Sequence, residues 1–179
     1  MIFTGMRRCA QAFVLLATLA CHGQAASAHE TPTEQSVRAA MVFNFLKFTE
    51  FPPESTVNAR QLRLCIAVGD PRQAEALVAL SGRKVKVREL VVERLSGQDN
   101  DCQVLYVDSR QRWNAAVENS VLRHTLTISA YPGFARDGGM IEIILQEDGT
   151  RFDINLVEGR RAGFRFAPQL LRLARQLHE

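Results

Sequence analysis

MIEIILQEDGTRFDINL, residues 140–156, alternates apolar and polar side chains on both sides of one Asp-Gly pair. Alternation with a period of two is the pattern of a half-buried strand, and Asp148-Gly149 is a favoured hairpin turn. The sequence therefore predicts strands over 140–146 and 151–156, joined as an antiparallel hairpin. One predicted face carries Ile141, Ile143, Leu145, Phe152, Ile154 and Leu156. Glu142, Arg151 and Asp153 fall on the other face, which we expect to be only partly covered.

Segments on both sides of this hairpin carry helix and strand patterns in alternation. Apolar runs or strict alternation predict further strands over 62–68, 84–90, 102–107 and 122–129. Apolar residues spaced by three and four predict helices over 34–50, 71–80, 110–119, 157–163 and 168–177. Interleaved elements of this kind favour an α/β fold: a single layered domain with a mixed sheet of about six strands and about five helices.

Two of the predicted helices have recognisable ends. Thr33 is placed to cap the first helix, and Pro52 and Pro53 end it because proline cannot continue the hydrogen-bond ladder. Asp70 stands directly before Pro71, a capping residue followed by the residue favoured at the first helical position.

The N-terminus has the organisation of a cleavable signal peptide over residues 1–28. Arg7 and Arg8 precede an uncharged apolar run at 12–20, and Ala26-Ser27-Ala28 supplies small residues for cleavage. The mature domain would then be 29–179, and its expected location is the periplasm. Lipidation of Cys21 is the alternative, although residues 18–20 lack the usual aliphatic residue three places before it.

Net charge excludes one broad class of partner. Without residues 1–28 the chain keeps 20 of its 22 Lys and Arg against 19 Asp and Glu, and these cations form no stripe along the sequence. A nearly neutral domain lacks the electrostatic footprint of nucleic-acid binding. We therefore expect no nucleic-acid partner.

Cysteine content changes with the same cleavage. Cys9 and Cys21 belong to the leader, and Cys65 and Cys102 remain in the mature chain. An even number of cysteines in an oxidising compartment predicts a disulfide. Two buried free thiols are the alternative.

The side chains that carry catalysis or bind metals and cofactors are scattered. His29, His124 and His178 lie far apart in the sequence, and neither a zinc-binding His or Cys spacing nor a nucleophile elbow is present. A glycine-rich loop for phosphates is missing as well. The expected protein is not an enzyme and holds no metal or cofactor.

Asn44 is a candidate ligand-binding residue. It lies on the predicted apolar stripe of the first helix with Met41 and Phe48, and Lys47 is its neighbour three positions on. A buried amide needs hydrogen-bond partners, so Asn44 and Lys47 either hold a ligand or tie the helix to the rest of the fold.

A second group suggests a partner-binding surface. Arg160, Arg161, Phe164 and Arg165 lie close together just before the last predicted helix. Arginine and aromatic residues are enriched in protein interfaces and dominate their binding energy. The alternatives are a solvated face for the arginines and a core position for Phe164.

An ordered set of short stretches carries a family resemblance over most of the mature chain. They are VRAAMVFNFLKFTEFP at 37–52, LCIAVG at 64–69, DCQVLYV at 101–107, LTIS at 126–129, GGMI at 138–141, RFDINL at 151–156, RAG at 161–163 and QLLRLA at 169–174. Together they resemble the YfiR-like family of small periplasmic proteins. Phe51 and Ala130 depart from it, since Trp and Asp are common there, and the second cysteine pair of some members is missing.

The resemblance implies regulation without chemistry. It implies a periplasmic repressor that holds the sensory domain of an inner-membrane diguanylate cyclase inactive and so lowers cyclic di-GMP signalling and biofilm growth. An outer-membrane lipoprotein that sequesters the repressor is a second implied partner, and a homodimer stays open. The alternative function is a periplasmic small-molecule-sensing module that serves another membrane receptor.

Overall fold

The structure is a computed structural model that describes residues 32–55, 60–95, 101–118, 122 and 124–179. The predicted signal peptide and Cys21 lie outside these residues. Pro32–Glu179 forms one compact unit.

Five helices occur in the described part of the chain. They are α1 (Glu34–Lys47), α2 (Pro71–Val78), α3 (Arg110–Glu118), α4 (Leu156–Arg161) and α5 (Pro168–Leu173). The predicted caps are confirmed: Thr33 accepts a hydrogen bond from the Ser36 amide at the start of α1, and Asp70 accepts one from the Arg72 amide at the start of α2.

Ten strands complete the described residues. They are β1 (Thr49–Glu50), β2 (Gln61–Ala67), β3 (Lys84–Val85), β4 (Arg88–Arg94), β5 (Val104–Val107), β6 (Leu126–Ser129), β7 (Ile141–Gln146), β8 (Gly149–Asn155), β9 (Arg165–Phe166) and β10 (Gln176–His178). Strands β1 and β9 pair by themselves, and the other eight form one sheet. The predicted α/β class is confirmed, with more strands than the six expected.

The large sheet has the order β10-β8-β7-β6-β5-β2-β4-β3. Its neighbours are parallel except for two antiparallel pairs, β7 with β8 and β3 with β4. The first of these is the hairpin predicted from residues 140–156. The sheet is therefore mixed, as expected, with a parallel centre.

Helices cover this sheet on both faces. On one face α1 and α2 pack on apolar side chains of β2, β5 and β8; the rings of Phe45 and Phe152 meet edge to face with centroids 5.0 Å apart. On the other face Trp113 of α3, with Phe134 from the β6–β7 connection, covers Leu105 and Val107. Strand β5 is consequently buried along its whole length, which explains its continuous apolar sequence.

The buried side of α1 differs from the predicted one. The helix buries Ala39, Val42, Phe43, Phe45 and Leu46, whereas Asn44 and Phe48 are exposed. Residues 39–46 are apolar at almost every position, so spacing alone does not identify the inner face. The helix also ends at Lys47 rather than 50, because Thr49 turns into β1 and donates its hydroxyl hydrogen to the Phe45 carbonyl.

Two other predicted elements are divided in the structure. Residues 84–90 form the short β3–β4 hairpin rather than one strand, with Lys86 at φ 55° in its turn. The predicted helix 168–177 stops at Leu173, and the chain enters the sheet as β10, parallel to β8. Here Arg175 forms an ion pair with the buried Asp153 of β8, which holds the chain at the sheet edge instead of in a helix. This ion pair is a tertiary contact, so helical spacing alone does not reveal it.

The expected disulfide is present and joins Cys65 of β2 to Cys102, two residues before β5. The two Cα atoms are 5.7 Å apart and both residues are buried. This separation lies within the usual range for the bond. The disulfide therefore links two neighbouring parallel strands under the cover of α3.

Removal of this disulfide should lower the free energy of unfolding. The bond closes a separation of 37 residues, for which the chain-entropy model gives about 4 kcal/mol. We expect Cys65→Ala to lose about 2 to 5 kcal/mol in urea unfolding of the oxidised protein. Wild-type protein unfolded with a reductant is the matched control and should fall to a similar stability; equal stability with and without reductant would contradict the assignment.

Candidate functional site

A groove of about 540 Å³ lies between α3, the start of β6 and α4. Its lining residues are Trp113, Val117, Leu122, His124, Thr127, Asp137, Gly138, Met140, Glu158, Arg161 and Ala162. The floor is mostly apolar and the rim is charged. A cavity of this size and composition is typical of a ligand or partner site.

The indole of Trp113 forms a fixed part of the groove floor. Its Nε1 donates a hydrogen bond to the Asp137 carbonyl at 3.0 Å, and its ring meets Phe134 edge to face with centroids 4.9 Å apart. Both contacts bind α3 to the β6–β7 connection. The floor is therefore held in place from two elements.

His124 occupies a left-handed backbone conformation at the start of β6, with φ 57°. A non-glycine residue in this region is uncommon and often marks a functional position. Its Nδ1 lies 3.3 Å from the Ala162 carbonyl at the end of α4. His124 thus connects the two sides of the groove.

Asn155 determines where α4 begins. Its Oδ1 accepts a hydrogen bond from the Glu158 amide at 3.0 Å, and its Nδ2 donates to the Ala135 carbonyl at 2.8 Å. One side chain therefore caps α4 and attaches it to the β6–β7 connection. This capping places Glu158 and Arg161, which pair at 3.1 Å, at the rim of the groove.

Asp137 supplies negative charge on the opposite rim. Its carboxylate lies 2.9 Å from the Arg110 guanidinium and accepts a hydrogen bond from the Tyr131 hydroxyl at 3.1 Å. Burial and this carboxylate raise the pKa of the Tyr131 phenol, so Tyr131 stays protonated and acts as the donor. The rim thus presents both signs of charge, and the arrangement suits recognition rather than proton transfer.

A second cavity, of about 370 Å³, lies over the hairpin near the C-terminus. It is lined by Arg136, Glu142, Asp153, Arg175, Gln176 and His178. Glu142 accepts hydrogen bonds from the amides of Gly133 and Ala135 at 2.9 and 3.0 Å. Asp153 pairs with Arg175, whose Nε lies 2.9 Å from Oδ1. Each buried carboxylate is thereby compensated.

These contacts correct our expectation for the polar face of the hairpin. Glu142 and Asp153 are 8% and 2% exposed, and only Arg151 of that trio is exposed. The sequence placed Glu142 and Asp153 on the polar face of the hairpin. It did not show that the β6–β7 connection and β10 cover that face. Their role in the structure is to hold these two segments on the sheet.

The four residues predicted as a partner surface are not all available. Arg160, Arg161 and Arg165 are exposed, and Arg161 reaches the groove. Phe164 is 2% exposed and packs edge to face against Phe51, with ring centroids 5.5 Å apart. Phe164 therefore belongs to the core, and the arginines alone remain a candidate contact.

Asn44 and Lys47 lie on exposed positions of α1 and do not line the groove. The premise that Asn44 is buried was wrong. Their role in ligand binding stays a prediction.

Several groove residues were missed in the sequence. Trp113 is the one tryptophan of the chain, and a lone large aromatic is a weak signal for a site. His124, Asp137 and Glu158 come from three separate segments, and only the packing of α4 beside the start of β6 brings them together.

A sequence profile of the YfiR/HmsC-like family matches residues 35–175. This range spans nearly all the described residues. The chain belongs to the YfiR/HmsC-like family. As a group, YfiR/HmsC-like proteins are periplasmic, non-catalytic regulators of cyclic di-GMP signalling.

Two solved structures resemble this YfiR/HmsC-like chain at low identity. A conserved domain protein from Vibrio cholerae O1 biovar El Tor superposes with a TM-score of 0.48 and 12% identity, covering 81% of this chain and 60% of that one. The ABC domain in complex with L-Trp from Streptococcus pneumoniae gives a TM-score of 0.54 and 10% identity, covering 78% and 62%. The chain spans less than two thirds of either structure, and the second likeness supports the fold alone. No curated protein matches the chain.

The described residues contain neither a cluster of metal ligands nor a membrane-spanning helix. No three His, Cys, Asp or Glu side chains within those ranges are grouped to hold a metal ion. Among the same residues, no helix combines the length and apolarity needed to cross a bilayer.

The Asp153–Arg175 pair should make a measurable contribution to stability. Arg175→Met leaves the buried Asp153 carboxylate without its hydrogen-bond donor, and we expect a loss of about 2 kcal/mol in urea unfolding. Arg172→Met is the matched control, because Arg172 is exposed and makes no ion pair with described residues; its effect should stay within about 0.5 kcal/mol. Equal losses in both variants would show that the pair is not important.

Proposed function

We propose that this protein represses an inner-membrane diguanylate cyclase by binding the periplasmic sensory domain of that enzyme. The observation that carries the proposal is the YfiR/HmsC-like match over residues 35–175. The consequence of repression is less cyclic di-GMP in the cytoplasm. Sequestration of the protein by an outer-membrane lipoprotein would relieve the repression.

Three exposed arginines, one of which lines the groove, support a contact surface that includes the groove rim. Arg161 lies on the rim, and Arg160 and Arg165 flank it in the chain with their side chains in solvent. Arg161 pairs with Glu158 at 3.1 Å, and Arg160 lies 4.0 Å from Glu179. Exposed pairs of this kind contribute little to stability, so these guanidinium groups are available for a carboxylate on the partner.

The apolar floor of the groove supplies the other part of a binding surface. Interfaces concentrate their energy where an apolar anchor enters a pocket and charged groups surround it. Trp113, Val117 and Met140 provide such a pocket beside Arg161. The partner segment that fits combines an apolar side chain with acidic neighbours.

Reversal of two arginine charges tests this surface. Arg160→Glu combined with Arg165→Glu should weaken binding to the purified sensory domain about tenfold or more, because interface arginines commonly contribute over 1 kcal/mol each. Cells carrying the variant should show raised cyclic di-GMP. The measurements are titration calorimetry and quantification of the extracted nucleotide.

The matched control is Arg72→Glu with Arg172→Glu, two exposed arginines on α2 and α5. This variant should bind and repress as the wild type does. Loss of binding in both double variants would indicate a general charge effect, and retained repression in the first would exclude the proposed arginine surface.

A small-molecule sensor is the second candidate function, and the groove volume favours it. A volume of about 540 Å³ lies within the range of small-ligand pockets. The ligand would then alter the contact with a membrane receptor rather than undergo a reaction.

Filling the groove separates the two candidate functions. Val117 is exposed on α3 and lines the groove, so Val117→Trp should occupy that space without disturbing the core. If the protein is a sensor, metabolites from periplasmic extract should raise the melting temperature of the wild type. This shift should disappear in Val117→Trp. Val78→Trp, an exposed valine on α2, is the control and should keep the shift. Wild-type protein without any shift would contradict the sensor function.

A further inference from the structure

The β3–β4 hairpin projects a charged tip from the edge of the sheet. Lys84–Val85 pairs antiparallel with Arg88–Glu89, and the turn between them is formed by Lys86 and Val87. Lys86 adopts φ 55°, and Val87 is 88% exposed, the highest value among the exposed large apolar residues of the described chain. Val87 is flanked by Lys86 and Arg88 in the sequence, so the exposed apolar side chain lies among cations.

Cations gather around this tip from two separate elements. Arg83, Lys84 and Lys86 are exposed, and Arg88 is half-buried. The fifth cation, Lys47, comes from the end of α1: its Nζ lies 5.8 Å from the Phe43 ring centroid, and the Arg83 guanidinium lies 3.7 Å from the same centroid. We call these five cations, with Val87, the basic hairpin surface.

The basic hairpin surface is not neutralised within the domain. None of its five cations forms an ion pair with a described residue, whereas Arg38, Arg63, Arg112, Arg151 and Arg161 all do. The acids placed beside it by strand register and sequence are Glu89, opposite Lys84, and Glu50, which is next to Thr49 and itself lies opposite Arg165 of β9. Five cations against these two acids leave an excess of three positive charges.

Local contacts hold the side chains at this surface. Lys86 donates a hydrogen bond from Nζ to the Thr49 carbonyl at 3.3 Å, and the Arg88 guanidinium lies over the Phe51 ring at 4.8 Å. The Arg88 guanidinium is thus held against the ring, and its Nη1 is buried without a hydrogen-bond partner among the described residues. The exposed positive charge around Val87 comes from the other four cations, Lys47, Arg83, Lys84 and Lys86.

We propose that the basic hairpin surface binds the surface of an anionic phospholipid bilayer. Phosphate headgroups complement its unpaired cations, and Val87 at the tip is placed to enter the interfacial region. Neither of the two cavities described above includes the residues of this surface. Protein interfaces concentrate their energy at an apolar anchor in a pocket, whereas this surface offers mainly exposed cations, which favours a layer of phosphate headgroups.

This contact goes beyond the proposed repression of a cyclase and does not depend on it. A membrane-bound regulator would search for its target in two dimensions on the bilayer that holds the target. Loss of lipid binding would leave the arginine surface beside the groove intact.

The experiment is co-sedimentation of protein recovered from periplasmic extract with phospholipid vesicles. We expect binding to phosphatidylcholine vesicles that contain phosphatidylglycerol, weak binding to phosphatidylcholine alone, and release by salt. Each basic residue near an anionic surface contributes about fivefold to binding. Lys84→Gln with Lys86→Gln should therefore bind about tenfold or more weakly.

Two further variants complete the test. Arg72→Gln with Arg172→Gln removes two exposed cations elsewhere and should bind as the wild type does. Val87→Ser should bind about fivefold more weakly and keep the salt dependence. Thermal melts of each variant confirm that it is folded.

Three results would overturn the proposal. They are no binding of wild-type protein to the anionic vesicles at low salt, equal binding to neutral vesicles, and equal loss in the hairpin and control double variants. Capture of a soluble acidic protein by this surface, without vesicle binding, would assign the surface to a protein partner instead.

Discussion

Strands β2, β5 and β6 lie side by side in parallel, and almost all their residues are buried. A parallel centre of this kind needs apolar cover on both faces. Here α1 and α2 provide it on one face, and α3 with the β6–β7 connection on the other. The positions of the groove and of the basic hairpin surface follow from this requirement, since one lies beside α3 and the other beside α1.

Polar side chains of the β7–β8 hairpin hold the segments that cover the sheet at places where apolar contacts end. Glu142 binds two amides of the β6–β7 connection, Asp153 holds Arg175, and Asn155 joins the same connection to α4. All three side chains lie on adjacent strands of one hairpin. The rims of both cavities therefore depend on the register of β7 and β8, because a shift by one residue would turn Glu142 and Asp153 into the apolar core.

Much of the fold was predictable where the signal is local. The hairpin at 140–156, the buried strand β5 and the caps at Thr33 and Asp70 each depend on a few neighbouring residues. The disulfide was expected from cysteine number and compartment. The inner face of α1 was not predictable, because residues 39–46 are apolar almost all round. The groove and the meeting of Lys47 with Arg83 at the Phe43 ring arise from packing between distant segments, so neither was predictable from the sequence.

The late position of β10 in the chain limits when the edge of the sheet at β8 can be completed. Polypeptides emerge with the N-terminus first during synthesis, and β10 follows the other strands of the large sheet in chain order. Asp153 is buried only when Arg175 and β10 have joined the edge of β8. A chain that is still emerging therefore carries an uncompensated carboxylate at the edge of its sheet. Closure of that edge, with burial of its charge, must wait until β10 has been synthesised.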